Sequence, residues 1–139
     1  MKTILVLLAV VSLLIPISAN AQSTLALQEK CAEGAKRIVS ESGGCEPVDS
    51  TKDYTMYCQY ISHYNKKLDK CFIRIDMTTI WKAPMEWRGK KDEAVQIIDV
   101  FERKMIGHYD SAVGINEVGD RKCNSRTEFE KLIKPYMEE

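Results

Sequence analysis

The chain has 139 residues, 20 Lys and Arg against 20 Asp and Glu, and five cysteines. A balanced charge argues against a nucleic-acid partner, because neutralising phosphates takes a basic excess. The length suits one domain and leaves little room for a second.

Lys2, the apolar run Ile4 to Ile15, Pro16 and then Ala19-Asn20-Ala21 form a charged start, an apolar core and a small-x-small site. This is the pattern of a cleaved secretory signal, residues 1–21, with the mature chain starting at Gln22. The run is 12 residues, and crossing a bilayer takes ~20, so no stable membrane span is expected after cleavage. What remains is 118 residues with 19 basic and 20 acidic side chains. The expected location is secreted or periplasmic. Five cysteines in a small exported chain imply disulfides and one sulfur left over.

Thr24 to Ser40 has helical spacing. Leu27, Cys31, Ala35 and Ile38 share a stripe, with Gln28, Glu29, Lys30, Glu33, Lys36 and Arg37 on the wet side. Ser23 or Thr24 is the expected cap, and Ser42-Gly43-Gly44 the stop. Cys45 to Asp53, with Pro47, reads as a loop.

Tyr54 to Trp81 is the centre of the design. Even positions Tyr54, Met56, Cys58, Tyr60, Ser62 and Tyr64 alternate with a mostly polar set, and odd positions Cys71, Ile73, Ile75, Met77 and Trp81 continue the pattern. A two-residue period predicts two strands with one buried face. A two-residue turn at Asn65-Lys66 sets Cys58 opposite Ile73 and Tyr60 opposite Cys71; a shifted register sets Cys58 opposite Cys71. Either way both sulfurs share the buried face. Cys31 on the helix then points at them, so Cys31–Cys71 is the expected bridge. Cys45–Cys123 is within reach as a second.

Trp81 to Asp92 holds Trp81, Pro84, Met85, Trp87 and Gly89. It is expected to cover a sheet edge or the core; the alternative is an exposed binding surface. Val95 to Val113 predicts a second hairpin from its β-branched content, with a helix over 94–104 as the rival. Gly114 to Asn124 reads as a loop. Ser125-Arg126-Thr127-Glu128 has capping-box spacing, and the helix it starts carries Phe129, Leu132 and Ile133 and ends near Pro135.

His63 and His108 are the only histidines, and no Cys-x-x-Cys, Gly-x-Ser-x-Gly or phosphate loop occurs. No catalytic, metal or cofactor site is expected. The predicted fold is α+β: a four-stranded antiparallel sheet of two sequential hairpins, with an N-terminal and a C-terminal helix on one face. A cystatin-like roll has this element order, but its Gln-x-Val-x-Gly loop is missing.

His63-Tyr64-Asn65-Lys66-Lys67-Leu68-Asp69-Lys70-Cys71-Phe72-Ile73, with Ile98 to Glu102 and the terminal Glu128-Phe129 and Pro135-Tyr136-Met137, is similar to a group of small exported bacterial proteins of unknown function. The resemblance implies an exported bacterial domain in which the His63–Lys67 turn belongs to the fold. It carries over no catalytic residue. The functional expectation is a non-enzymatic binding module of the cell envelope, its partner an envelope or extracellular protein or a small ligand. The expected surface is Trp81 and Trp87 together with His63, Tyr64 and Asn65. The alternatives are an inhibitor of an extracellular hydrolase, or an enzyme with an unrecognised site.

Overall fold

The computed structural model describes residues 18–46 and 48–138, with side chains from Ser23 onward. The predicted signal segment lies outside these residues as far as residue 17. Helix α1 spans Ser18–Glu41 and so runs through the predicted cleavage point at Ala21. It starts upstream of the expected Ser23 or Thr24 cap, because Ala19 and Ala21 are strong helix formers and nothing between them ends a helix.

Cys31, Ala35, Ile38 and Val39 are the buried stripe of α1, spaced as a helix packed along one side requires. Gly34 lies in the same stripe against Val100. A Cβ there would meet Val100 Cγ1 at 2.6 Å, so the absence of a side chain sets the approach of helix to sheet. The amides of Ser42 and Gly44 close the helix on the carbonyls of Ile38 and Val39, with Gly43 and Gly44 at φ 94° and 90°.

Seven strands follow, all antiparallel and each beside its chain neighbour: β1 (Asp49–Ser50), β2 (Tyr54–Asn65), β3 (Lys70–Trp81), β4 (Lys91–Asp99), β5 (Lys104–Asp110), β6 (Asn116–Val118) and β7 (Arg121–Lys122). The expected four-stranded sheet is thus the centre of a seven-stranded one. β6 and β7, at three and two residues, are too short to show a period and fall in the stretch expected to be a loop. Residues 94–99 are strand, as their β-branched content predicts.

The β2–β3 register also differs from expectation. Tyr64 faces Cys71 and Cys58 faces Met77. The turn is four residues long because Asn65 Oδ1 accepts from the Leu68 amide at 3.0 Å and Asp69 takes φ 51°. The parity is as predicted, so both sulfurs face α1.

Helix α2 spans Arg126–Met137. Ser125 Oγ accepts from the Glu128 amide at 3.2 Å, and Glu128 Oε2 accepts from the Asn124 amide at 2.9 Å. The capping box is therefore present, shifted by one residue at its return bond. Pro135 lies inside the last turn without ending the helix there.

The two helices sit on opposite faces of the sheet, which corrects the expected shared face. On one side α1 packs with Cys58, Tyr64, Cys71, Ile73, Ile75 and Val100. On the other, Phe129 and Ile133 of α2 pack with Phe72, Val95, Ile97, Val118 and Cys123. Near the Asn65 turn β3 is buried on both faces, at Cys71, Ile73 and Ile75 on one and Phe72 on the other, and each large apolar side chain buried there contributes about 1.5–3 kcal/mol.

The bridge Cys31–Cys71 is present, with sulfurs 1.98 Å apart. The second bridge is Cys45–Cys58, not Cys45–Cys123. Cys123 is a buried free thiol, because it lies on the α2 face while Cys45 lies on the α1 face. The outer edge of β2 pairs with β1 only at Thr55 and Met56. Further along, Gln28 of α1 takes the place of a neighbouring strand: its Oε1 accepts from the Tyr64 amide at 2.9 Å and its Nε2 donates to the Ser62 carbonyl at 3.3 Å.

Candidate binding surface

β2 and β3 are each 12 residues long, about 36 Å end to end at ~3.3 Å per residue. Helix α1, tied down by Cys31–Cys71, covers the half nearest the Asn65 turn, and Cys45–Cys58 lies at its border. The other half of the same face is open. Pairing fixes which side chains line it: Met56 sits opposite Thr79, Thr79 opposite Asp92, Met77 opposite Ala94 and Ala94 opposite Asp110. With Trp81 and Ala112 these side chains form a groove of about 270 Å³. Its floor is apolar, and three acidic residues line it: Asp92 and Glu93 from β4 and Asp110 from β5, with the Glu93 carboxylate paired to Lys91 and Arg126.

Asp92 and Asp110 are each held by one oxygen. Asp92 Oδ2 accepts from Trp81 Nε1 at 2.6 Å, while its Oδ1 has only Lys90 Nζ at 3.8 Å. Asp110 Oδ1 accepts from the amides of Ala112 and Val113 at 2.8 and 3.0 Å. Its Oδ2 has only His108 Nε2 at 4.0 Å. Each acid therefore keeps one oxygen free of hydrogen bonds among the described residues.

Trp81 anchors the end of the groove. Its ring meets Tyr54 edge-on at 6.0 Å and Trp87 edge-on at 5.2 Å. Trp87 belongs to a short 3-10 turn, Met85–Trp87, and Lys90 Nζ lies 5.5 Å over its ring. The β3–β4 connection is tied to the body by its backbone: Gly89 N donates to the Trp81 carbonyl at 2.8 Å, and Lys82 N and Ala83 N donate to the Asp53 carbonyl at 2.8 and 3.1 Å.

The structure divides the expected surface. Trp81 and Trp87 lie together at the open end. His63, Tyr64 and Asn65 lie at the far end of the ribbon. Tyr64 is buried under α1 and donates through its hydroxyl to Asp69 Oδ1; this carboxylate bond, more than burial, pushes the phenol up from its usual range. Asn65 is fully buried under the end of α2. His63 is half-buried on the α2 face with Nε2 unpartnered among the described residues. His108 is on the α1 face, opposite Gln96, so the two histidines share no site.

Met56 and Met77 were legible as members of the buried-face sets, but not as a groove floor. Asp92 and Asp110 are scattered among lysines in sequence, and only the β4–β5 pairing brings them together. Among the described residues no three His, Cys, Asp or Glu side chains are placed to hold a metal, and no helix is long and apolar enough to cross a membrane.

On the opposite face the ionised groups serve the packing of α2. Arg74 Nη1 and Nη2 each donate to Glu130 at 2.8 Å, and Arg74 Nε donates to Asp76 at 2.7 Å. Arg126 donates to Glu130 at 2.7 Å and to Asp76 at 2.9 Å. No protein-family model matches the chain, and no curated protein or solved structure matches it.

Proposed function

We propose that this chain is an exported, non-enzymatic binding module of the bacterial cell envelope whose ligand enters the groove between Met56 and Asp110. Two disulfides and the signal-like residues 1–21 support export, because such bridges persist in oxidising compartments. One observation carries the binding reading: an apolar floor bordered by Asp92 and Asp110, each carboxylate with one oxygen outside its hydrogen bonds. That arrangement suits an aliphatic body carrying a cation, such as a basic side chain of an envelope or extracellular protein or a small organic ammonium. Both acids already accept bonds from fixed donors. That fits holding a charge better than moving a proton.

The test is an amide-resolved NMR titration of the exported, oxidised protein with hexylammonium and, separately, hexanoate. Hexylammonium should shift Met56, Met77, Ala94 and Asp110 and hexanoate should not; Asp110→Asn should weaken the response severalfold. Equal shifts from both probes, or shifts confined to other regions, would sink the reading.

A further inference from the structure

Beyond the groove, the same end of the sheet carries a second feature. Met85 and Trp87 in the β3–β4 connection are 77% and 45% exposed, and Val113 and Ile115 in the β5–β6 connection are 66% and 50% exposed. Both connections leave the sheet at one end, since β4 starts where β3 finishes and β5 runs back alongside it. The second is set back by three residues, roughly 10 Å. Large apolar side chains normally turn inward, so four at one tip need a reason.

Neither connection is loose. Besides the bonds that tie it to the sheet, the first is closed by Trp87 N to the Pro84 carbonyl and Lys90 N to the Trp87 carbonyl, at 2.9 and 2.8 Å. In the second, Asp110 and the Ser111 pairing with Glu93 fix the turn. The backbone thus holds Met85 and Val113 outward.

Lys82, Arg88, Lys90 and Lys91 flank Met85 and Trp87 in the chain, against the single carboxylate Glu86 within residues 82–91; Lys82 Nζ also donates to Ser50 Oγ and the Thr51 carbonyl at 2.7 and 2.9 Å. Asp92 and Glu93 follow on β4, where they are turned to Trp81 and Lys90 and to Lys91 and Arg126. The Arg88 guanidinium donates to the Lys82 carbonyl at 3.2 Å and pairs with no carboxylate among the described residues. Exposed Trp and Met ringed by Lys and Arg is the chemistry of a surface that enters the headgroup layer of an anionic bilayer. The far end of the ribbon also exposes Leu68 and Phe101, where Arg103 pairs with Glu41 and Lys70 with Asp99 and Glu102, and it has no exposed Trp beside its cations.

We propose that the 82–91 and 111–115 tip docks on an anionic phospholipid membrane, with Met85 and Trp87 inserted and the four cations at the headgroups. This goes beyond the groove reading, because the groove lies behind the tip and neither needs the other.

The experiment is vesicle flotation of the exported, oxidised protein. Vesicles of phosphatidylcholine with roughly 30% phosphatidylglycerol should carry the protein up at about 0.1 M salt and release it at about 0.5 M. Pure phosphatidylcholine should carry at least tenfold less. Met85→Glu, at a largely exposed position, should cut binding about tenfold and leave the melting temperature and the hexylammonium titration unchanged. Arg88→Gln should cut it several-fold. No flotation with anionic vesicles would overturn the proposal, as would salt-independent binding to both vesicle types, or binding that survives Met85→Glu but is lost in Phe101→Ser.

Discussion

Asn65 Nδ2 lies 2.9 Å from the carbonyl oxygen of Pro135, 70 residues along the chain. The same nitrogen reaches the carbonyls of Tyr136 and Glu138 at 3.3 and 3.1 Å, and Oδ1 holds the Leu68 amide. One fully buried side chain therefore shapes the β2–β3 turn and satisfies the open carbonyl end of α2. Helix ends need such partners when they are covered.

Asn65→Ala should cost about 2–3 kcal/mol, because it strands buried carbonyls and frees the turn. Asn65→Asp should cost more than Ala, since a carboxylate set against three carbonyl oxygens has nothing to donate. Urea unfolding of the three proteins measures this; an Asp variant as stable as wild type would contradict it.

Gly34→Ala reverses a general rule. Alanine normally stabilises a helix interior by about 1 kcal/mol over glycine. Here the new methyl would lie 2.6 Å from Val100 Cγ1, and Val100 is 5% exposed with no room to retreat. The melting temperature should fall. A rise would mean that α1 is not seated where described.

The two disulfides should differ in weight. Cys31–Cys71 spans 40 residues and Cys45–Cys58 spans 13. Chain-entropy scaling gives about 4 and about 3 kcal/mol respectively. Paired alanine variants, compared by denaturant midpoint, should show the larger loss at 31 and 71, where both positions are fully buried. Tryptic mass mapping should recover these two linkages and no other.

Burial pushes the Cys123 thiol above its ordinary range, and the nearby Glu128 carboxylate adds to the shift. The folded protein should therefore be almost inert to Ellman's reagent at about pH 8 and yield one equivalent once unfolded. Rapid labelling of the native state would place Cys123 at the surface.

Burial acts to raise the carboxyl of Glu130, but its bonds to Arg74 and then Arg126 outweigh that and lower it overall. A group lowered on folding contributes stability above its unfolded value, near 4.5, and loses it as pH falls through the folded value. Glu130→Gln should thus melt lower than wild type at neutral pH, and the difference should close below about pH 3. Circular-dichroism melts across that range provide the check; a constant gap would show that Glu130 acts by packing alone.

The same ion network explains what the sequence concealed. Alternation in β2 and β3 disclosed the face under α1, and with it the Cys31–Cys71 bridge, because sulfur and apolar groups mark burial plainly. Arg74 and Asp76 on the other face looked wet. They are covered by α2, with their charges matched by Glu130 and Arg126. A covered face built from paired charges reads as solvent until the partner helix is placed. The hairpin register was hidden for a related reason: it depends on a bond from the side chain of Asn65, which leaves no periodic trace. The groove lay deeper still, since it requires the pairing of four strands at once.

Gln28 has a consequence for the protein before it is oxidised. Its amide occupies backbone groups of β2 that would otherwise be free to zip onto another molecule, and Cys31, one turn further along the helix, keeps it there. A nascent chain with sulfurs 31 and 71 still reduced would lift this guard whenever α1 drifts away, and neighbouring chains would begin to stack strand on strand. The 31–71 bridge thus guards an open strand edge as well as adding to stability.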